Sequence, residues 1–306
     1  MDKVLVVMST YNGERYVEEQ IESIMRQKDV DVTLLIRDDG SGDNTCQVIE
    51  RCMATYPNIH LIKGENIGYR RSFLNTLTAE HECSYDYYAF SDQDDVWEPK
   101  KLARAVYALK RGNKPLMLYA SALRVVDENL NFRYDNTFPG LRIHYGSALT
   151  RQRLAGCTMV FSPEVLTLCR QYHADPEQKN LLSHDGLVYY ICLLCGGEVI
   201  FDKKSYINYR RHEDAFSRQG KSFWLKAESV LNIFTSSKNE RYKQTKALAD
   251  VYYDRMPADV KKTVDKVLNY RNSVHDTLAL LADPQFNSGL KSVDIVNKLA
   301  ILMRCY

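Results

Sequence analysis

Long apolar runs are missing from this chain of 306 residues: none approaches the ~20 residues that a bilayer-spanning helix requires, so the protein is expected to be soluble or peripheral to a membrane. Tryptophan is scarce too, with only Trp97 and Trp224. Neither G-x-G-x-x-G nor G-x-x-x-x-G-K-S/T follows a strand pattern, which argues against a dinucleotide enzyme and a P-loop ATPase. No secretory leader precedes Val4, where the first apolar run is itself a short strand pattern. The eight cysteines are scattered, so free thiols in a reducing cytoplasm are the simplest expectation. Cys192 and Cys195 have redox or zinc spacing, but they sit in an apolar run with no second Cys or His pair nearby, which favours core packing. The net charge of +2 makes no case for a nucleic-acid partner.

What is present is an ordinary globular composition, with room for one large domain or two smaller ones. Its charge is unevenly spread: residues 221–306 carry 14 Lys and Arg against 9 Asp and Glu, or +5, leaving −3 for residues 1–220. A solvated helical face would account for that, and so would a basic segment that meets something anionic.

Val4 to Met8 is a continuous apolar run of the kind buried on both faces in a parallel sheet. A helix pattern follows over Glu14 to Gln27, a strand over Val32 to Ile36, a helix over Thr45 to Met53 and a strand over Ile59 to Ile62. The Arg70 to Ala79 helix, the Tyr87 to Phe90 strand, the Pro99 to Arg111 helix and a strand over Leu116 to Tyr119 complete the alternation. Such a rhythm implies right-handed crossovers and a mostly parallel, Rossmann-like α/β sheet with ligands at the carboxyl ends of its strands. Three polar loops, at 9–13, 37–43 and 91–95, follow strands and would share that edge.

The last of these loops holds Asp92, Asp94 and Asp95, three carboxylates within four residues. A hard divalent cation, Mg²⁺ or Mn²⁺, would neutralise them and also take phosphate oxygens; a solvated turn capping the next helix is the alternative.

Ser9-Thr10-Tyr11-Asn12, Asp38-Asp39-Gly40-Ser41, Asn66-Ile67-Gly68 and the run from Asp92 to Leu102 together resemble glycosyltransferase family 2, with its GT-A fold, in order and spacing. Ile36 to Ser41 with Phe90 to Trp97 is similar to the bacterial rhamnosyltransferases that build cell-wall and capsular polysaccharide. The resemblance implies a GT-A domain over 1–220, with a nucleotide-sugar half at 1–115 and an acceptor half at 116–220, followed by a helical region at 221–306. It implies inverting, metal-dependent transfer from a nucleotide sugar, dTDP-L-rhamnose ahead of a UDP-hexose, to a lipid-linked saccharide. Asp94, Asp92 and His212 would hold the metal, and Asp39 would accept the imide N–H of uracil or thymine. Thr10, Tyr11 and Glu14 would line the base and ribose pocket, while Arg70 and Arg211 would reach phosphate. Asp185, at the start of the helix Leu187 to Leu194, would take the acceptor hydroxyl's proton, although the family's usual Glu-Asp stands here as His184-Asp185. Gly156, Cys157, His184 and Trp97 complete the acceptor side, with Leu154 to Phe161 expected as a strand.

Strands over Glu198 to Asp202 and Tyr206 to Tyr209, a mobile loop over Ala215 to Gly220, and helices over Phe223 to Phe234, Glu240 to Arg255, Asp259 to Leu281 and Lys291 to Arg304 are expected after it. The Gln-x-x-Arg-Trp signature of processive synthases is absent, so one sugar per encounter is expected. The tail helices would pack on their own domain, rest on an anionic membrane or mediate dimerisation. A nucleotidyltransferase or a non-catalytic nucleotide-sugar-binding module remains as the alternative from another class.

Overall fold

A computed structural model describes residues 1–79, 84–173, 182–211, 235 and 238–306. His212, the loop at 215–220 and the expected helix at 223–234 lie outside the described residues.

The first strand, β1 (Lys3–Thr10), is apolar on both faces from Val4 to Met8 because it lies between two neighbours and beneath helices on either side. It pairs in parallel with β2 (Asp31–Asp38), which pairs with β3 (Ile59–Lys63), while its other edge takes β4 (Tyr87–Ser91). The crossovers are α1 (Val17–Met25), α2 (Thr45–Thr55) and α3 (Tyr69–Thr78). Register settles where the loops emerge: Thr10 stands opposite Asp38, and Met8 opposite Ser91. Tyr11, Asp39 and Asp92 therefore all leave the sheet at one carboxyl edge.

Beyond β4 the sheet becomes mixed. The two-residue β5 (Val96–Trp97) and helix α4 (Lys101–Leu109) lead to β6 (Met117–Val126), a ten-residue strand rather than the short one expected. A hairpin strand, β7 (Phe132–Asn136), and the helix α5 (Tyr145–Thr150) follow, neither of them signalled by periodicity. The expected strand over 154–161 is instead a 3₁₀ turn at Gly156–Thr158 followed by β8 (Val160–Phe161), which inserts antiparallel between β4 and β6. After α6 (Pro163–Cys169) and α7 (His184–Leu194), the two predicted strands merge into β9 (Glu198–Arg210). β9 runs parallel to β6 and antiparallel to β5, giving the order β3-β2-β1-β4-β8-β6-β9-β5 with β7 on β6.

The C-terminal helices are α8 (Glu240–Tyr252), α9 (Ala258–Asn269), α10 (Val274–Leu281) and α11 (Lys291–Leu302). The single helix expected over 259–281 is split because the Ser273 side chain accepts from the Asp276 N–H at 3.0 Å and starts a new one. These helices dock on α5 and α6: the Tyr306 hydroxyl donates to the Leu149 carbonyl at 2.9 Å, Asn297 to Thr150 at 3.1 Å and Tyr252 to Leu168 at 2.7 Å. Cys192 is buried in the core, its thiol 3.5 Å from the Glu198 carbonyl.

The contact between the loops at 140 and 289 is tight. Gly140 and Gly289 have φ of +69° and +76°, and a Cβ on Gly289 would stand 2.0 Å from the Gly140 carbonyl oxygen. Gly289→Ala should therefore cost about 2 kcal/mol through backbone strain and displacement of the 140 loop, read as a lower midpoint in chemical denaturation.

Candidate active site

Four loops and one helix terminus meet at the carboxyl edge. Gln93 ties the first loop to the acidic one, accepting from the Tyr11 N–H at 2.9 Å and donating to the Tyr11 carbonyl at 3.1 Å. Tyr11 itself is exposed, while Thr10 is buried and gives its hydroxyl to Asp38 at 2.9 Å. Thr10 thus braces the turn after β2 rather than lining a pocket. Glu14 also bridges loops, its carboxylate accepting from the backbone and side-chain N–H groups of Asn44 at 2.8 Å each.

Asp39 is 3% exposed at its side chain. It pairs with Arg37 and accepts from the Ile67 and Gly68 N–H groups at 3.0 and 2.9 Å, so it pins the 66–68 loop and the start of α3. Those bonds take three of the roughly four acceptor positions of a carboxylate. Gly40, at φ +81°, is closely faced by the 66 loop: a Cβ there would stand 2.9 Å from the Asn66 nitrogen.

Three side chains of the acidic centre, Asp92, Asp95 and Cys157, bring their ligand atoms within 4.8 Å of one another. The half-buried Asp92 is pushed up to about 7, first by burial and then by the charges of Asp94 and Asp185, against a hydrogen bond from Cys157 that favours ionisation. Asp95 is fully buried and raised well above the usual carboxylate range by the same burial and by Asp94 and Asp92. Burial and these two carboxylates also hold the Cys157 thiol protonated. Asp94 stands outside this trio yet close enough for its charge to act on both aspartates. Arg210 lies against Asp94 and Asp95, and Lys101 is close enough for its charge to act on Cys157, yet Oδ2 of Asp95 is buried with no hydrogen-bond partner among the described residues. A hard divalent ion at the oxygens of Asp92 and Asp94 fits that deficit; the protonated thiol behind them does not suit Mg²⁺ or Mn²⁺ as a ligand.

Arg210, which the sequence reading did not single out, supports the acidic loop. Its N–H donates to Asp95 Oδ1 at 3.0 Å and its Nε to the Asp94 carbonyl at 2.8 Å, while the rest of the guanidinium engages Glu128 and Glu19. Only 4% of Arg210 is exposed, and it covers the Tyr16 ring. Arg211 turns instead to the Tyr134 hydroxyl at 3.0 Å, on the hairpin strand. Trp97 corrects another expectation: it is 3% exposed, donates its backbone N–H to Ser23 Oγ at 3.0 Å, and lies under the Lys101 ammonium at 3.5 Å. It is packed in the hydrophobic core. Burial pushes Lys101 down to about 7.

Asp185 sits at the first turn of α7, half-buried, with Oδ1 accepting from the Gly186 N–H at 2.8 Å and Oδ2 3.4 Å from Gln152 Nε2. Its charge contributes to the rise at Asp92, and the turn at Gly156 and Cys157 lies between them, against Asp185 Cβ at one residue and within 4.8 Å of Asp92 at the next. His184 stacks on Phe73 at 3.8 Å and meets Phe90 edge-on at 4.5 Å; neither of its ring nitrogens has a partner among the described residues. Arg70 is near enough to oppose protonation of that ring. Gly156 is small for this packing: a Cβ there would be 2.8 Å from His184 Nε2 and 3.0 Å from Asp185 Cβ. A side chain at 156 would therefore collide with the start of α7.

Arg210→Lys keeps the charge but cannot reproduce the fork, and should destabilise the protein by about 3 kcal/mol in denaturant titration, against under about 1 kcal/mol for Arg211→Lys. Burial lowers the pKa of His184 from 6.5 to about 4, so its contribution is intact above pH 6.5 and is lost as pH falls toward 4. His184→Phe should remove on the order of 3 kcal/mol of acid destabilisation over that window, read by comparing the two unfolding midpoints across pH.

The sequence profile of glycosyl transferase family 2 matches residues 5–173. The chain is 30% identical over 220 residues to the protein named dTDP-rhamnosyl transferase RfbG of Shigella flexneri, covering 68% of this chain and 72% of that one. S. aureus TarS 1–349 in complex with UDP-GlcNAc aligns with a TM-score of 0.60 at 15% identity, over 99% of this chain and 83% of that one. The mannosyltransferase PcManGT from Pyrobaculum calidifontis, in complex with GDP-Man and Mn²⁺, aligns at 0.51 and 16% identity, over 98% and 78%. Likeness at these identities concerns the fold, which is the GT-A fold. With the profile spanning more than half of its length and a curated relative at this identity, the chain belongs to glycosyl transferase family 2 and is a glycosyltransferase.

Proposed function

We propose that the protein transfers one sugar per encounter, with inversion, from a nucleoside-diphosphate donor to a saccharide hydroxyl, and that the donor is dTDP-L-rhamnose. The observation that supports the reading is the turn at Gly156 and Cys157, which lies against Asp185 on one side and brings the Cys157 thiol within 4.8 Å of the Asp92 carboxylate on the other, although 90 residues of chain separate the two aspartate segments. Asp185 takes the acceptor hydroxyl's proton; the oxygen then attacks the anomeric carbon from the side opposite the diphosphate, whose bond to that carbon breaks. Asp185's backbone contact to Gly186 holds the carboxylate in place at the N-terminus of α7. Mg²⁺ or Mn²⁺, held by Asp94 and Asp92, would supply charge stabilisation for the leaving diphosphate. Asp39 orders the loop at 66–68 and has one acceptor position left for the imide of thymine or uracil.

The rhamnose assignment draws on the name of the Shigella relative, and the lipid-linked saccharide acceptor of cell-surface polysaccharide draws on the family resemblance. The TarS complex with UDP-GlcNAc motivates a UDP-hexose as the competing donor.

Thermal shift with Mn²⁺ against dTDP-L-rhamnose, UDP-glucose and UDP-galactose tests the donor, because a ligand that binds the folded state raises its melting point. The largest shift should come from dTDP-L-rhamnose; a larger one from a UDP-hexose overturns the rhamnose assignment. Asp185→Asn should cut turnover about 10²–10⁴-fold and leave the donor-induced shift intact. Undiminished transfer by that variant would falsify the base assignment.

A further inference from the structure

The C-terminal helices present a second apolar face, pointing away from the domain they pack on. On α11 the inner side is Asn297, Ala300 and Ile301, all buried. Its outer side carries Ile295 at 59% exposure, Leu299 at 48% and Leu302 at 57%, with Met303 at 60% just beyond the helix. The neighbouring α10, which packs against α11, adds Val274 at 71% and Leu278 at 56%. Helical spacing places Ile295, Leu299 and Leu302 on one stripe, four and three residues apart. Soluble surfaces scatter such side chains singly; a row of this kind marks an interaction site.

The charges around it are of one sign. The exposed charged side chains from Lys291 to Arg304 are Lys291, Lys298 and Arg304, and Asp294 is turned inward to accept from the Ser288 hydroxyl at 2.6 Å. Among the exposed residues of α10, His275 is the titratable one, while Asp276 is half-buried and bonded to Ser273. The acid with an accessible side chain on either helix is Asp276, 37% exposed and already bonded to Ser273. A two-fold contact with a second copy would set the three cations from Lys291 to Arg304 against themselves with little acid to pair them. An anionic lipid surface satisfies both features at once, taking the aliphatic side chains between headgroups and the lysines among phosphates.

We propose that α10 and α11 form the membrane-contacting face of the protein and that its partner is a bilayer rich in anionic lipid. No described helix is long and apolar enough to cross a membrane, so the contact is peripheral. The stripe is short, so apolar insertion alone gives weak, reversible attachment, and the added attraction of the cations sets the preference for anionic lipid.

Flotation of the full chain with vesicles of phosphatidylcholine alone, or of phosphatidylcholine with phosphatidylglycerol, tests this without donor or acceptor, so its outcome is separate from that of the transfer reaction. The intact protein should float with the anionic vesicles and remain largely behind with the neutral ones. Ile295→Ser combined with Leu299→Ser should reduce binding about tenfold. Lys291→Glu combined with Lys298→Glu should abolish the preference for phosphatidylglycerol. Both variants should keep the wild-type melting point, since neither changes a buried side chain. Absence of flotation by the folded intact chain overturns the proposal, as does flotation that both variants leave unchanged. A concentration-dependent dimer in sedimentation velocity, lost in the serine variant and unaccompanied by flotation, assigns the face to a second copy instead.

Discussion

The acidic loop can exist in its present shape because Arg210 reaches it from the last strand of the sheet. Three carboxylates in succession after β4 repel one another, and a loop with only its own backbone to hold it would splay toward water. Arg210 counters this from inside: its N–H bonds the innermost carboxylate, Asp95, and its Nε bonds the carbonyl of Asp94. The guanidinium is nearly inaccessible to solvent, so these bonds act in a low dielectric where they are strong and where losing a partner is costly. Its engagement with the Asp94 backbone rather than a tight ion pair with all three acids has a chemical consequence. The loop is held in place while Asp92 remains crowded by negative charge and raised.

Beneath the loop, burial drives Asp95 and Lys101 in opposite directions, both toward the neutral form. Asp95 acts on Lys101 by opposite charge, but desolvation is the larger influence on both groups. Lys101 compensates partly by lying on the face of Trp97, whose ring quadrupole attracts an ammonium. The tryptophan is therefore part of the foundation under the acidic loop. The same explanation covers Cys157, a protonated thiol donating to Asp92 from a buried turn.

Local pattern carried much of this into the sequence. The apolar runs of β1, β2 and β4, the helices between them and the polar loops at 9–13, 37–43 and 91–95 were readable, because a parallel sheet buried on both faces leaves strong, short-range signals. Arg210 was not. Strand parity decides which of two adjacent residues faces inward, and the β6–β9 ladder shifts register twice, around Ser121 to Arg124, so parity counted from Glu198 is lost before Arg210 is reached. Trp97 misled for a different reason: it follows the acidic motif by two residues, but β5 pairs with β9 and turns the ring inward. Gly156 next to Cys157 read equally well as an opening for ligand or as a bulge. What makes glycine necessary there is α7, whose approach no local window contains.

The placement of Asp185 follows from that approach. Its neighbour His184 is wedged between Phe73 of α3 and Phe90 of β4, two elements of the parallel part of the sheet and its crossovers. A charged ring could not occupy this site cheaply, and burial keeps the imidazole neutral over the range where it would otherwise titrate. An aromatic side chain at 184 thus fastens the start of α7 to the strand that carries the acidic loop, and the Gly156 turn closes it from the other side. Because α7 rises from that anchor, the residue after it cannot rotate away from the cleft without breaking two ring contacts. In a chain where Glu-Asp would be the family's pattern, histidine does the packing and leaves the aspartate alone to face the acidic loop. The proposed base is therefore positioned by the parallel part of the sheet, and loosening Phe73 or Phe90 would shift Asp185 relative to the carboxylates of the acidic loop.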